Sequence, residues 1–174
     1  MDEASITRYI ATAFEGVDVV VASEEGGAPE VAWGDTFFIY DPDRTLEGSR
    51  QFPFATIVIN DYGDFDNASD LKRPGVFRLN IGVSKETYRS LFGSGGEHDF
   101  AELDRLMPHP VYGVNHWVCV LNPSDSTFET SETIARGGLR YRRAQVHQAR
   151  SRWERRLTSL AANWRPWWMC HCAR

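Results

Sequence analysis

The chain reads as an α+β domain: an antiparallel sheet of about five strands with helices packed on one side, in the order α-β-β-β-β-α-α-β-α. Three observations predict this. Four β-branched or aromatic runs follow one another with only short turns between them, which favours hairpin-linked antiparallel strands over β-α-β crossovers. One of those runs alternates between two faces, as a half-buried strand does. Apolar residues at helical spacing open the chain, and a long helical pattern ends it.

The elements follow in order. Ile6, Tyr9, Ile10, Ala13 and Phe14 fall on one helical face, with Ser5 placed to cap the helix and Gly16 to stop it. Val17 to Ala22 is β-branched and reads as a strand. Glu24 to Pro29 is a turn whose two glycines admit positive φ. Val31 to Tyr40 is the second strand, with Gly34 marking a bulge or a close backbone approach. Asp41-Pro42-Asp43-Arg44 turns the chain, and Phe54 to Asn60 forms the third strand. The acidic stretch Asp61 to Asp70 reads as a surface loop.

From Gly75 to Gly82, Val76, Arg78 and Asn80 lie on one face and Phe77, Leu79 and Ile81 on the other. Ser84 caps a short helix, Lys85 to Phe92, which Gly93 ends. Asp99 to Met107 reads as a second short helix, with Phe100, Leu103 and Leu106 spaced accordingly and Pro108-His109-Pro110 closing it. His116 to Leu121 is the fifth strand. Phe128 to about Leu160 is helical, weakened at Gly137-Gly138 by roughly 1 kcal/mol per glycine relative to alanine. Residues 1–156 are expected to form one domain and residues 157–174 a loosely ordered tail.

With 174 residues, 42% hydrophobic and 25% charged, the composition is that of one globular domain. It excludes collagen-like, coiled-coil and disordered chains. There is no apolar run of about 18 residues to span a membrane. The start, Met1-Asp2-Glu3, lacks a secretory pattern, and three cysteines with two near the end do not make a disulfide framework. A cytoplasmic protein is expected, with Cys119 as a small buried hydrophobe. The net charge of −5 conceals a split. Residues 1–135 hold nine basic against 23 acidic side chains, whereas residues 136–174 hold ten arginines and one Glu.

Four ordered motifs bear a resemblance. They are Pro29-Glu30-Val31-Ala32-Trp33-Gly34-Asp35-Thr36-Phe37-Phe38, Pro53-Phe54-Ala55-Thr56-Ile57-Val58 and Arg73-Pro74-Gly75-Val76-Phe77-Arg78-Leu79-Asn80-Ile81. The fourth is His109-Pro110-Val111-Tyr112-Gly113, followed by Trp117 to Pro123. Together they resemble an uncharacterised actinobacterial family, a domain of unknown function, over about residues 5 to 156. More distantly the layout resembles the MmcQ/YjbR-like proteins, which implies a curved antiparallel sheet and, by shape, DNA binding.

Candidate sites fall into three groups. Trp33, Asp35, Arg78 and Asn80 would offer an aromatic wall, a carboxylate, a guanidinium and an amide to a small polar ligand. His109, Tyr112 and His116, in a loop at its rim, carry the only acid–base chemistry near neutral pH that the motifs offer. Arg136, Arg140, Arg143 and Arg150 share a helix side and would either grip nucleic-acid phosphates or neutralise the acidic body. No metal motif is complete: His109 and His116 are too far apart in sequence, and Cys170-His171-Cys172 lacks a fourth ligand. No phosphate loop or nucleophile elbow occurs, and no cofactor is expected. The reading that follows is a small-molecule or partner-binding module. The alternatives are nucleic-acid binding through the arginine-rich helix, or an enzyme with His109 or His116 as acid or base.

Overall fold

The computed structural model describes residues 1–44, 52–93 and 95–162, with side chains through residue 144. Helix α1 (Glu3–Ala13) begins at Asp2, whose carboxylate accepts the Ser5 N–H at 2.7 Å. The cap is therefore Asp2 and not Ser5, since a charged acceptor one helical turn earlier satisfies the open N–H group. Six strands follow, antiparallel and in spatial order β1-β2-β3-β4-β6-β5: β1 (Val17–Val21), β2 (Thr36–Tyr40), β3 (Pro53–Val58), β4 (Arg78–Gly82), β5 (Met107–Pro108) and β6 (Trp117–Leu121). Helix α2 (Lys85–Phe92) lies between β4 and β5, capped by Ser84 as its position suggests. Helix α3 (Asp125–Ala162) ends the described chain. Residues 1–141 form one compact unit and residues 142–174 are a second.

Two elements differ from the sequence reading. The second strand is shorter than Val31 to Tyr40. Residues Glu30–Ala32 form a 3-10 turn, closed by Trp33 N–H on the Glu30 carbonyl, and the strand starts at Thr36. Gly34 makes the change of direction at φ +89°, and a Cβ there would lie 2.6 Å from the Ile59 side chain. The expected helix from Asp99 to Met107 is absent. Asp104 adopts a left-handed backbone (φ 58°) and gives its N–H to the Leu121 carbonyl, which no α-helical residue would do. The segment runs alongside β6 instead, and Met107–Pro108 forms β5, a strand beyond the five expected.

The sheet has two covered faces. On one, Leu79 and Ile81 meet Ile10 of α1, Phe14 just after it, and Phe128 and Ala135 of α3, so these two helices share a side. Tyr9 packs edge-on against Phe128. Gly138 explains one of the two glycines in α3: a Cβ there would sit well inside 3.0 Å of the Gly82 carbonyl oxygen, so the helix backbone rests directly on β4. Gly137 meets nothing within 4 Å. The other face bears Val58, Met107, Cys119 and Leu121, packed under Leu71, Tyr62, Val76 and Phe100 from the connecting segments. That layer of loops decides what the polar residues of β4 can do.

Candidate functional site

Arg78 and Asn80 project from β4 onto the loop-covered face, where both are buried (1% and 2% exposed). The face is not solvated. The segment after β3 folds back over it through a tight hairpin at Tyr62-Gly63-Asp64-Phe65-Asp66, in which the Tyr62 N–H reaches the Asp66 carbonyl at 2.9 Å. This carries Asp66 inward, to 7% exposure. Its two carboxylate oxygens accept from both terminal nitrogens of Arg78, the Nη1 bond being 3.1 Å, and Ser69 Oγ accepts a second bond from Nη1 at 2.7 Å. Such a fork-to-carboxylate pair is the geometry in which arginine is retained in an interior. The acidic stretch read as a surface loop thus supplies a buried counter-charge.

His109 completes the cluster from the opposite segment. It follows β5 and is 4% exposed. Its Nδ1 accepts the N–H groups of Val111 and Tyr112, each at 3.1 Å, and its Nε2 stands 3.9 Å from Asp66 Oδ2. An Nδ1 that accepts two bonds carries no proton, so the ring is the Nε2–H tautomer. Burial, with Arg78 nearby, pushes the imidazole down to about 4, against a smaller upward pull from Asp66. His109 therefore organises its loop, and its Nδ1 lone pair is already engaged.

A stability prediction follows. The native state holds His109 neutral, with its pKa depressed below the ordinary 6.5. The unfolded chain thus binds the proton first as pH falls. The stabilisation is complete above about pH 6.5 and is lost between there and about pH 4. Urea denaturation at pH 7 and at pH 4.5 is expected to differ by roughly 2–3 kcal/mol more in the native chain than in a His109→Gln variant.

The remaining predicted residues divide. Asp35 is fully buried beside the cluster: its Oδ1 accepts the Ile59 N–H at 2.9 Å and its Oδ2 accepts the Tyr62 hydroxyl. Burial raises its pKa, while the Tyr62 and Ile59 hydrogen bonds and Arg78 lower it less. Asn80 donates to Thr56 Oγ1 at 3.0 Å across the β3–β4 pair. Trp33 is 36% exposed and its indole N–H donates to the Ala28 carbonyl in its own turn at 2.9 Å. Tyr112 packs against His109 with the rings tilted by 55° at 5.0 Å between centres, and it remains 41% exposed. His116 stands apart, left-handed at φ 63° and packed against Tyr88.

Asp66, Ser69 and Tyr62 join the cluster without being among the candidates that the sequence singles out. The Gly63-Asp64 step between aromatic residues is a turn signal that would have set Tyr62 across from Asp66.

Of the four arginines, Arg136 is engaged within the body, bonded to Glu132 at 2.6 Å and to the Tyr9 hydroxyl at 3.1 Å and lying over the Phe14 ring. Arg140 is exposed and Arg143 belongs to the second unit. The side chain of Arg150, and the tail with Cys170, His171 and Cys172, lie outside the described residues. Cys119 is buried as expected, its thiol pushed up to about 12 by burial. Among the described residues no group of His, Cys, Asp and Glu is arranged to hold a metal, and no helix is long and apolar enough to cross a membrane.

The model of a family of unknown function, DUF6194, matches residues 1–156, and the chain belongs to that family. No curated protein and no solved structure matches it.

Proposed function

We propose that this DUF6194 domain is a partner-binding module whose contact surface is the apolar cap formed by Phe65, Tyr112 and Val114. The observation that carries the reading is the coupling of exposure to anchoring. Phe65 is 60% exposed, Val114 85% and Tyr112 41%, and the rings of Phe65 and Tyr112 meet at 6.1 Å. Phe65 and Tyr112 each have a buried anchor. Asp66, next to Phe65, is gripped by Arg78, and the N–H of Tyr112 is held by His109.

A buried ion pair is costly to desolvate and adds little net stability compared with an apolar core, so a specific geometry is its best-supported benefit. Here that geometry is two loops holding apolar side chains in water. Fixing such groups before contact lowers the entropy lost on binding. Exposed aromatic residues on a rigid base are where binding energy concentrates.

The small-ligand placement against Arg78 and Asn80 has narrower support: Asp66 and Ser69 take Nη1 and Nη2 of Arg78 and Thr56 takes Nδ2 of Asn80, which leaves Arg78 Nε and Asn80 Oδ1 without a partner among the described residues. The −14 balance of residues 1–135 favours a partner whose apolar contact is ringed by basic residues. A cytoplasmic setting fits the free buried thiol, and the likeness to MmcQ/YjbR-like proteins fits an antiparallel sheet with two helices on one face.

Selection from a displayed random-peptide library tests the reading. Enriched peptides are expected to carry an apolar anchor beside Lys or Arg, and to shift amide resonances at residues 65 and 112–114. Affinity is expected to fall at least about tenfold in a Phe65→Ser, Val114→Ser variant that melts like the parent. Binding that survives this double change would refute the surface.

A further inference from the structure

The second surface is the open edge of the sheet. The edge at β5 is two residues long and contains Pro108, and both features blunt a strand against further pairing. The edge at β1 has neither protection. It is five residues, Val-Asp-Val-Val-Val, with Val20 and Val21 exposed by 41% and 56%.

The direction of its free groups can be read from its ends. Gly16 accepts the Asp41 N–H, and Ala22 both donates to Asp35 and accepts from Gly34. In an antiparallel ladder the bonding direction alternates residue by residue. Residues 16, 18, 20 and 22 therefore face β2, and Val17, Val19 and Val21 aim their N–H and C=O groups at the open side. Among the described residues nothing bonds those six groups. That is a row of donors and acceptors at the spacing of an added strand.

Charge identifies the occupant. Asp18 lies within β1, and Glu24 and Glu25 lie exposed just beyond its far end. Among the described residues the cation in contact with the strand is Arg44, 3.3 Å from Asp18 and itself 82% exposed. A second copy of this chain would bring two acidic edges together, each carrying Asp18 with Glu24 and Glu25 just beyond it. We propose that β1 accepts an extended basic segment of a partner protein as a seventh, antiparallel strand. Its β-branched residues would cover Val20 and Val21, and its Lys or Arg side chains would lie beside Asp18 and the terminal glutamates. This goes beyond the Phe65–Val114 surface and uses different residues, so either can fail alone.

The probe is a capped peptide of alternating Lys and Val, seven residues long, titrated into the full chain and followed by amide resonances. Shifts are expected along residues 17–21, with slowed solvent exchange at Val17, Val19 and Val21, and binding weakening as salt rises. Val19→Pro removes an outward N–H, which an edge strand tolerates, so this variant is expected to melt like the parent and to lose the peptide. Asp18→Lys is expected to weaken the Lys–Val peptide at least about tenfold and to strengthen its Glu–Val counterpart. Three results would overturn the proposal: shifts that map elsewhere, equal affinity for both peptides in Asp18→Lys, or self-association through β1 in sedimentation without peptide.

Discussion

Asp66→Ala is expected to lose about 3–5 kcal/mol of folding stability in urea, the range seen when one partner of a buried ion pair is removed. Arg78 would keep its full charge at 1% exposure, with Ser69 as its remaining hydrogen-bond partner among those described. The loop would also lose the grip that turns Asp66 inward beside Phe65. Replacing both partners by apolar residues, Asp66→Leu with Arg78→Met, is expected to recover most of the loss, because neither charge then needs solvating. If the single variant costs less than about 1 kcal/mol, the pair behaves like an exposed one and the rigid-base account of the apolar cap fails with it.

The second large effect separates two adjacent glycines in α3. Helix propensity alone treats them alike and gives alanine a benefit of about 1 kcal/mol at each. Gly137→Ala is expected to follow that rule and stabilise by about 0.5–1 kcal/mol, since its Cβ would meet nothing. Gly138→Ala is expected to destabilise by about 1–3 kcal/mol, because its Cβ would press on the Gly82 carbonyl, a backbone atom that cannot rotate away. Thermal melts of the two variants, read against the parent, should move in opposite directions. Two upward shifts would mean that α3 does not rest on β4 at this point.

These two sites show what was legible in the chain. The fold class followed from local patterns: β-branched runs, helical spacing in α1 and the cap at Ser84 are each set by neighbours within a few residues. The failures came where distant contacts outweighed local preference. Asp99 to Met107 has helical spacing, yet the pairing of Met107 with Cys119 and the bond from Asp104 to Leu121 give it a partner that an isolated helix would forgo. Arg78 and Asn80 alternate like residues of a solvated face, because alternation reports two kinds of surroundings and cannot say that the polar kind is an internal cluster. The counter-charge is in a segment whose four aspartates look alike in sequence. Only the hairpin after Tyr62 singles out Asp66. Gly138 likewise looks like Gly137 until the strand beneath it is known.

The contact between α1 and α3 has a consequence for the way the domain is made. A ribosome delivers α1 first, yet its apolar face is completed by α3, and the bond from Arg136 to Tyr9 joins residues 127 positions apart. Strands β1 to β4 pair each with the next and can assemble as a meander while synthesis proceeds. The first helix must meanwhile wait with Ile6, Ile10 and Phe14 uncovered on that side, so the nascent chain is at its most vulnerable to aggregation until the last helix emerges.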